Sequence, residues 1–354
     1  MARIGVNALY LIPGGVGGTE IYLRELLKAL ARIDSSNQYF VFTNAETGAD
    51  VAPKQANFRL VPQAVRARFR PARIAWEQTV LALEASRYGV EVMLNPGFTS
   101  PIFSSCANVT VFHDMQHLRH PEYFRWFDLP FWRFLLWASA LRARRLIAVS
   151  EATREDLAKF YPAAKDRVVV IPHGVDEAFY GVDRTRPGDF VLCVSTLHPH
   201  KNIERLIRAY TRRKRDYRLV IAGMRGFQTR EIEKLATAEV EITGWVARER
   251  LLELYAGARA FVYPSTFEGF GMPVLEAMAA GIPTACASIA PLREVAGDAA
   301  LLFDPLSEDA IAEALDRITM DEDLRGRLRE AGPRRARGFT WQRSAELTLE
   351  ALTK

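Results

Sequence analysis

The chain reads as an α/β protein of two parallel-sheet domains, and three features predict it. Apolar strand-like runs alternate with helical patterns along both halves of its 354 residues. Each half opens with a strand leading through a short turn into a helix, the unit from which doubly wound sheets are built. Between the halves, residues 174–189 (GVDEAFYGVDRTRPGD) are rich in Gly, Asp and Pro, as an interdomain link would be.

In order, ARIGVNALYL is the first strand and IYLRELLKALARI the first helix. Further strands are expected at 38–44, 58–63, 91–95, 109–114, 146–150 and 168–172, with helices at 73–88 and 131–143. The 131–143 segment, with Trp132, Phe134, Leu135 and Trp137, admits two readings, a membrane-surface helix and a buried core helix; its polar residues are too few for a strongly amphipathic surface helix, which favours the core. Strands resume at 190–195, 218–222, 240–243, 258–263, 283–287 and 300–303. Helices are expected at 203–211, 230–237, 249–256, 274–280 and 308–317. Two such halves would leave a cleft between them, a preferred place for a ligand.

Bulk properties narrow the function. A hydrophobic content of 49% with 25% charged residues is that of an ordinary globular protein. No run of 18 apolar residues exists, and Met1-Ala2-Arg3 leads directly into a strand without a cleavable signal pattern. Cys106, Cys193 and Cys286 have no metal-ligand spacing, so a reduced, cytoplasmic setting is expected. The net charge of +5 is modest, but three basic clusters stand out: Arg66/Arg68/Arg70/Arg73, Arg142/Arg144/Arg145 and Arg212/Arg213/Lys214/Arg215. Solvated faces are the first reading of these, and peripheral contact with anionic lipid head groups or with phosphorylated substrates is the alternative. No aromatic interleaving of a nucleic-acid module accompanies them, so nucleic acid is not expected as a partner.

The chemistry concentrates in residues 258–281, ARAFVYPSTFEGFGMPVLEAMAAG. A buried strand is followed by a glycine turn and a helix that starts near Pro273 and stops at Gly281. Such a helix start offers amides and partial positive charge to a phosphate. Glu268 and Glu276 flank it eight positions apart, allowing one acid at each end of a ligand with an anionic centre. Both would otherwise be solvated acids favoured by the helix dipole. Gly14, Gly15, Gly17 and Gly18 after the first strand let backbone approach a ligand, though they do not form the dinucleotide fingerprint. His113 ends a strand, and Lys201 stands just before a helix; either would by default be merely structural or on the surface.

EGFGMPVLEAMAAGIPT resembles the E-x7-E signature of the retaining glycosyltransferases of family 4, which have a GT-B fold of two Rossmann-like domains facing across a cleft. PGGVGGTE, HDMQHLRHPEYF, STLHPHKNIERLI and the tail GFTWQRSAELTLEALTK match the same family in order. The resemblance implies domains at 1–175 and 190–335, a linker at 176–189, and a last helix at 336–354 crossing back onto the first domain. It implies a hexosyl transfer from a nucleotide-diphosphate sugar, GDP-mannose being the lead, to a glycan or lipid-linked acceptor with retention of configuration. His113, Glu268 and Lys201 would form the reacting end. Gly17, Gly18, Thr196, Lys201, Glu268, Phe270, Gly271, Met272 and Glu276 would bind the donor, Glu276 accepting from the ribose hydroxyls. Many relatives carry arginine where Thr196 stands, so one phosphate cation would have to come from His200, Arg225 or a backbone amide. No D-x-D pair occupies a plausible strand end, so no metal or cofactor is expected and fixed protein charge would meet the diphosphate. A nucleotide-sugar epimerase or hydrolase on the same scaffold, or a non-catalytic nucleotide-sugar-binding subunit, is the alternative.

Overall fold

Near-continuous apolar runs such as Tyr39-Phe40-Val41-Phe42 suit strands covered on both faces, and they pair accordingly. In the computed structural model, which describes all residues except 16, 186, 187, 227 and 228, the chain divides into two units. One comprises Met1–Gly174 with Thr340–Lys354, the other Val175–Phe339.

The first unit holds β1 (Arg3–Ala8), β2 (Gln38–Thr43), β3 (Phe58–Pro62), β4 (Val92–Asn95), β5 (Ala107–Phe112), β6 (Arg145–Ala148) and β7 (Val168–Val170). Among the described residues these form one parallel sheet in the order β3-β2-β1-β4-β5-β6-β7. The second holds β8 (Phe190–Val194), β9 (Arg218–Ala222), β10 (Val240–Gly244), β11 (Ala260–Tyr263), β12 (Thr284–Ala287) and β13 (Leu301–Phe303). Its order is β10-β9-β8-β11-β12-β13, again parallel. In both, strand order reverses beside the unit's first strand, between β1 and β4 and between β8 and β11. Crevices at the carboxyl ends of such reversals are where open α/β sheets take ligands.

Several expectations need correction. The 73–88 helix is two, Arg70–Gln78 and Val80–Arg87, broken at Thr79, whose φ of −123° and ψ of −74° are not helical. Helix Leu129–Arg142 is no core helix. It buries Leu135, Leu136, Ser139 and Ala140 but exposes Phe131, Phe134 and Trp137, because its apolar residues cover both faces. Arg73, counted in a surface cluster, is buried beside Glu77 and Tyr10. The Arg212–Arg215 cluster is largely met by acids: Arg212 pairs with Glu308 and Asp309, Arg213 and Arg215 with Asp316.

Residues 176–189, taken as a link, belong to the second unit as far as they are described; 186 and 187 lie outside the described residues. Arg184 in this stretch donates to the carbonyls of Tyr255 and Ala258 at 2.9 and 2.8 Å.

The tail helix Trp341–Thr353 packs against helix Gly18–Ile33 within the first unit. Trp341 is buried with its ring centroid 6.0 Å from that of Tyr22, while Leu347 is only half-buried. Gly174 lets this helix start close by: a Cβ there would stand 2.1 Å from the Trp341 amide nitrogen. Because that neighbour is backbone, Gly174→Ala is expected to cost about 3 kcal/mol. A chemical-denaturation midpoint followed by tryptophan fluorescence should therefore fall; an unchanged midpoint would show that the backbone yields freely. Among the described residues no helix is long and apolar enough to cross a membrane.

Candidate active site

The reversal between β8 and β11 explains how two distant polar residues meet. After β8 the chain turns through Pro199–Lys201 and enters helix Ile203–Thr211; after β11 a loop carries Glu268 to helix Met272–Ala279. Since β8 and β11 are neighbours, their carboxyl-end loops lie side by side. Asn202 stitches them, donating to the carbonyls of Pro264 and Pro305 at 3.1 and 2.7 Å, and the Thr266 amide donates to His200 O at 2.7 Å. Lys201 Nζ then stands 2.6 Å from Glu268 Oε1, with 14% and 12% of the two side chains exposed. Tyr263, the last residue of β11, donates its hydroxyl to the same oxygen at 2.7 Å and accepts from Lys201 Nζ at 3.2 Å. Burial, reinforced by Glu268, pushes the Tyr263 hydroxyl well above its usual range, so it stays a neutral donor.

Four residues downstream of the Glu268-Gly269-Phe270 turn's start, the chain has entered the helix that carries Glu276. Gly271 makes the turn possible: its φ is +113°, and a Cβ would meet Leu292 Cδ2 at 2.3 Å. Phe270 is buried with its ring against Phe339, and Met272 is the first helical residue. Glu276, one turn in, is 8% exposed and accepts from the Tyr255 hydroxyl at 2.7 Å. Burial pushes its carboxyl up to about 7, against the opposing pull of the Tyr255 hydrogen bond and Arg248. Arg248 itself is paired with Asp176. Thr196 is half-buried on the loop after β8; Arg225, on the loop after β9, pairs with Glu233 at 3.0 Å. The second unit thus presents a lysine–glutamate–tyrosine cluster and a second, nearly neutral-poised carboxyl on one helix-start loop.

In the first unit, Gly17 (φ +58°) caps helix Gly18–Ile33 without a side-chain hydrogen bond, and a Cβ there would face open space. The loop before it is held by Glu20, which accepts from the Gly14 amide at 2.8 Å and from Arg24 at 2.9 Å. His113 follows β5 and is buried, its Nε2 2.9 Å from the Pro96 carbonyl at the end of β4. A carbonyl only accepts, so Nε2 carries the hydrogen and Nδ1 is left as an acceptor. Burial lowers the His113 imidazole to about 4, so it is neutral at physiological pH. Its ring packs on His173, Tyr22 and Phe98 at centroid distances of 5.5, 5.0 and 5.3 Å. His117 is also buried and is bonded to the Tyr161 hydroxyl at 2.9 Å.

Three groups here escaped sequence reasoning. Tyr263 was visible as a polar-tipped residue ending an apolar strand run; Tyr255 sits in helix Arg248–Gly257 and meets Glu276 only through packing. Glu77 is a third: it is buried and accepts from Asn7 and Thr99 at 3.1 and 3.0 Å, next to the β1/β4 reversal.

Comparison with known proteins matches the profile of glycosyl transferases group 1 to residues 183–335 and that of glycosyltransferase family 4 to residues 16–179. O-antigen chain mannosyltransferase B of Escherichia coli is 32% identical over 265 residues, covering 69% of each chain. The chain belongs to the family 4 glycosyltransferases. Serotype-specific mannosyltransferase WbdA of Escherichia coli is 29% identical to this glycosyltransferase over 238 residues, 60% of this chain but only 29% of that one. Among solved structures, the sucrose-phosphate synthase of Thermosynechococcus elongatus superposes with a TM-score of 0.80 at 20% identity, covering 99% and 98% of the chains. The Anabaena protein HepE, solved with UDP-glucose, gives 0.76 at 19% identity over all of both chains. These likenesses establish the GT-B fold class of this glycosyltransferase, with two Rossmann-like parallel sheets.

Proposed function

We propose that this glycosyltransferase moves a hexose, mannose from GDP-mannose in the leading case, onto a glycan or lipid-linked acceptor of a bacterial surface polysaccharide. The reading includes retention of configuration, action at the cytoplasmic face and no requirement for a divalent metal. One observation carries it: Lys201, Glu268 and Tyr263 converge at the β8/β11 reversal, beside the helix start that follows Gly271. A diphosphate suits a lysine ammonium and a helix start together. Glu268, steadied by Tyr263, takes sugar hydroxyls with the backbone of Phe270, Gly271 and Met272, and Glu276 takes the ribose. His200, Arg225 or a backbone amide supplies the phosphate contact that Thr196 does not provide. In the first unit, the amides of Gly17 and Gly18 and the neutral His113 serve the roles that the family resemblance implies. The mannosyl assignment is supported by the E. coli O-antigen mannosyltransferase and WbdA, which are named for that sugar.

The test is a thermal-shift panel of GDP-, UDP- and ADP-sugars followed by transfer assays with chelator present. At a hundredfold excess over Kd, a true donor should stabilise the fold by roughly 2.7 kcal/mol. GDP-mannose should raise the melting temperature above the other sugars, and turnover should require an acceptor. Donor consumption without any acceptor would favour the epimerase or hydrolase, and binding without turnover a non-catalytic subunit.

A further inference from the structure

Helix Leu129–Arg142 buries Leu135 and Leu136 but exposes three aromatic residues spaced three apart, Phe131, Phe134 and Trp137. The approach to the helix extends it with Trp126 and Phe127, whose rings lie 5.8 Å apart; Trp126 is 84% exposed. At the other end Phe103 is 80% exposed, on a loop whose Ile102 carbonyl accepts from Arg142. Exposed aromatics of this size normally occur singly; a contiguous group marks a surface that meets something apolar.

The charges around it decide what that is. Arg70 lies over the Trp132 ring at 4.0 Å, which brings the basic run of residues 66–70 against the aromatic helix. Arg66, Arg68 and the exposed Phe69 line an open hollow there with Ala45 and Glu46. Arg125 stands 6.0 Å from the Phe127 ring, and Arg133 lies on the helix itself. Against these cations the acids are Asp128 at the helix start, Glu46, and Glu122, which is bonded to His120. The other two basic clusters differ. Arg215 is buried on Asp316 and Arg144 donates to the Leu352 carbonyl at 2.6 Å, although Arg142 of the second run does reach the aromatic surface at its Phe103 end.

We propose that the surface formed by Phe69, Trp126, Phe127, Phe131, Phe134 and Trp137, bordered by Arg66, Arg68, Arg70 and Arg125, docks this chain onto an anionic phospholipid bilayer. The aromatic rings enter the boundary between headgroups and acyl chains, where Trp and Phe are favoured, and the guanidinium groups stay at phosphate level. The docking is peripheral, and it stands independently of which sugar the enzyme transfers.

Co-sedimentation of the full chain with phosphatidylcholine vesicles, with and without phosphatidylglycerol, tests it. Wild type should partition onto the phosphatidylglycerol vesicles and be released progressively by salt. Combined Phe131→Ser, Phe134→Ser and Trp137→Ser should weaken partition by about a hundredfold. Combined Arg66→Gln, Arg68→Gln and Arg125→Gln should cost roughly fivefold per arginine and reduce the salt dependence. All six positions are exposed or border solvent, so melting temperatures should hold and report an intact fold. The proposal is overturned if wild type stays in the supernatant with both vesicles, if the serine variant sediments like wild type, or if that variant instead dissolves a dimer of a chain that ignores vesicles.

Discussion

Lys201→Ala is expected to lower kcat/KM by on the order of 10³ while also destabilising the second unit by about 3 kcal/mol. Two physical effects combine. The ammonium offers the proposed diphosphate a full positive charge in a site that is mostly shielded from water, where such stabilisation is strongest. It also neutralises Glu268, 2.6 Å away, and removal leaves that largely buried carboxylate, among the described residues, with the Tyr263 hydroxyl. Breaking one side of a buried pair costs more than removing both charges. Lys201→Met combined with Glu268→Gln should therefore recover most of the lost stability, yet stay as inactive as either single variant. Urea unfolding separates the stability effect, and titration with free nucleoside diphosphate separates binding from turnover. Unchanged nucleoside-diphosphate affinity in Lys201→Ala would remove this lysine from the phosphate site. A double variant less stable than both singles would mean that the pair is not the unit described here.

That cluster shows where sequence reading ends. The strands were legible because a strand buried on both faces must be apolar along its length, as Ala260-Phe261-Val262-Tyr263 is. The turn into the next helix was legible because Gly271, Pro273 and Gly281 punctuate it, and each occupies the position its backbone preference suits. The meeting of Lys201 with Glu268 came from the family resemblance alone and Tyr263 was missed, since their convergence depends on β8 lying beside β11 rather than on spacing along the chain. Tyr255 reaches Glu276 across helices for the same reason. Helix Leu129–Arg142 was misjudged because an apolar residue facing solvent and one facing a core are the same letter. Arg73 shows the converse: one member of a basic run is buried because Glu77 and Tyr10 lie close to it.

Glu276→Gln should raise stability at alkaline pH and abolish most donor binding, two effects of one buried carboxyl. In the folded chain burial lifts this group from its ordinary 4.5 to about 7. Between those values the native state holds a proton that the unfolded chain has lost, so stability falls as pH rises, and above about 7 the whole penalty is present. Its size is about 3 kcal/mol. Glutamine keeps the shape and can still accept from Tyr255, but it carries no charge to desolvate. The variant should therefore unfold at a higher temperature than wild type at pH 8 and near the same temperature at pH 5. Binding should move the other way. A carboxylate accepts from both ribose hydroxyls at once, so wild-type donor affinity should rise as pH passes through about 7. The glutamine variant should bind about a hundredfold more weakly, with no such rise. Equal thermal midpoints at pH 8 would show that this carboxyl is not held against burial. A variant that keeps both the donor affinity and its pH dependence would place the ribose elsewhere. A gain in stability with a loss of binding is the signature of a group kept in an unfavourable place for the ligand it receives.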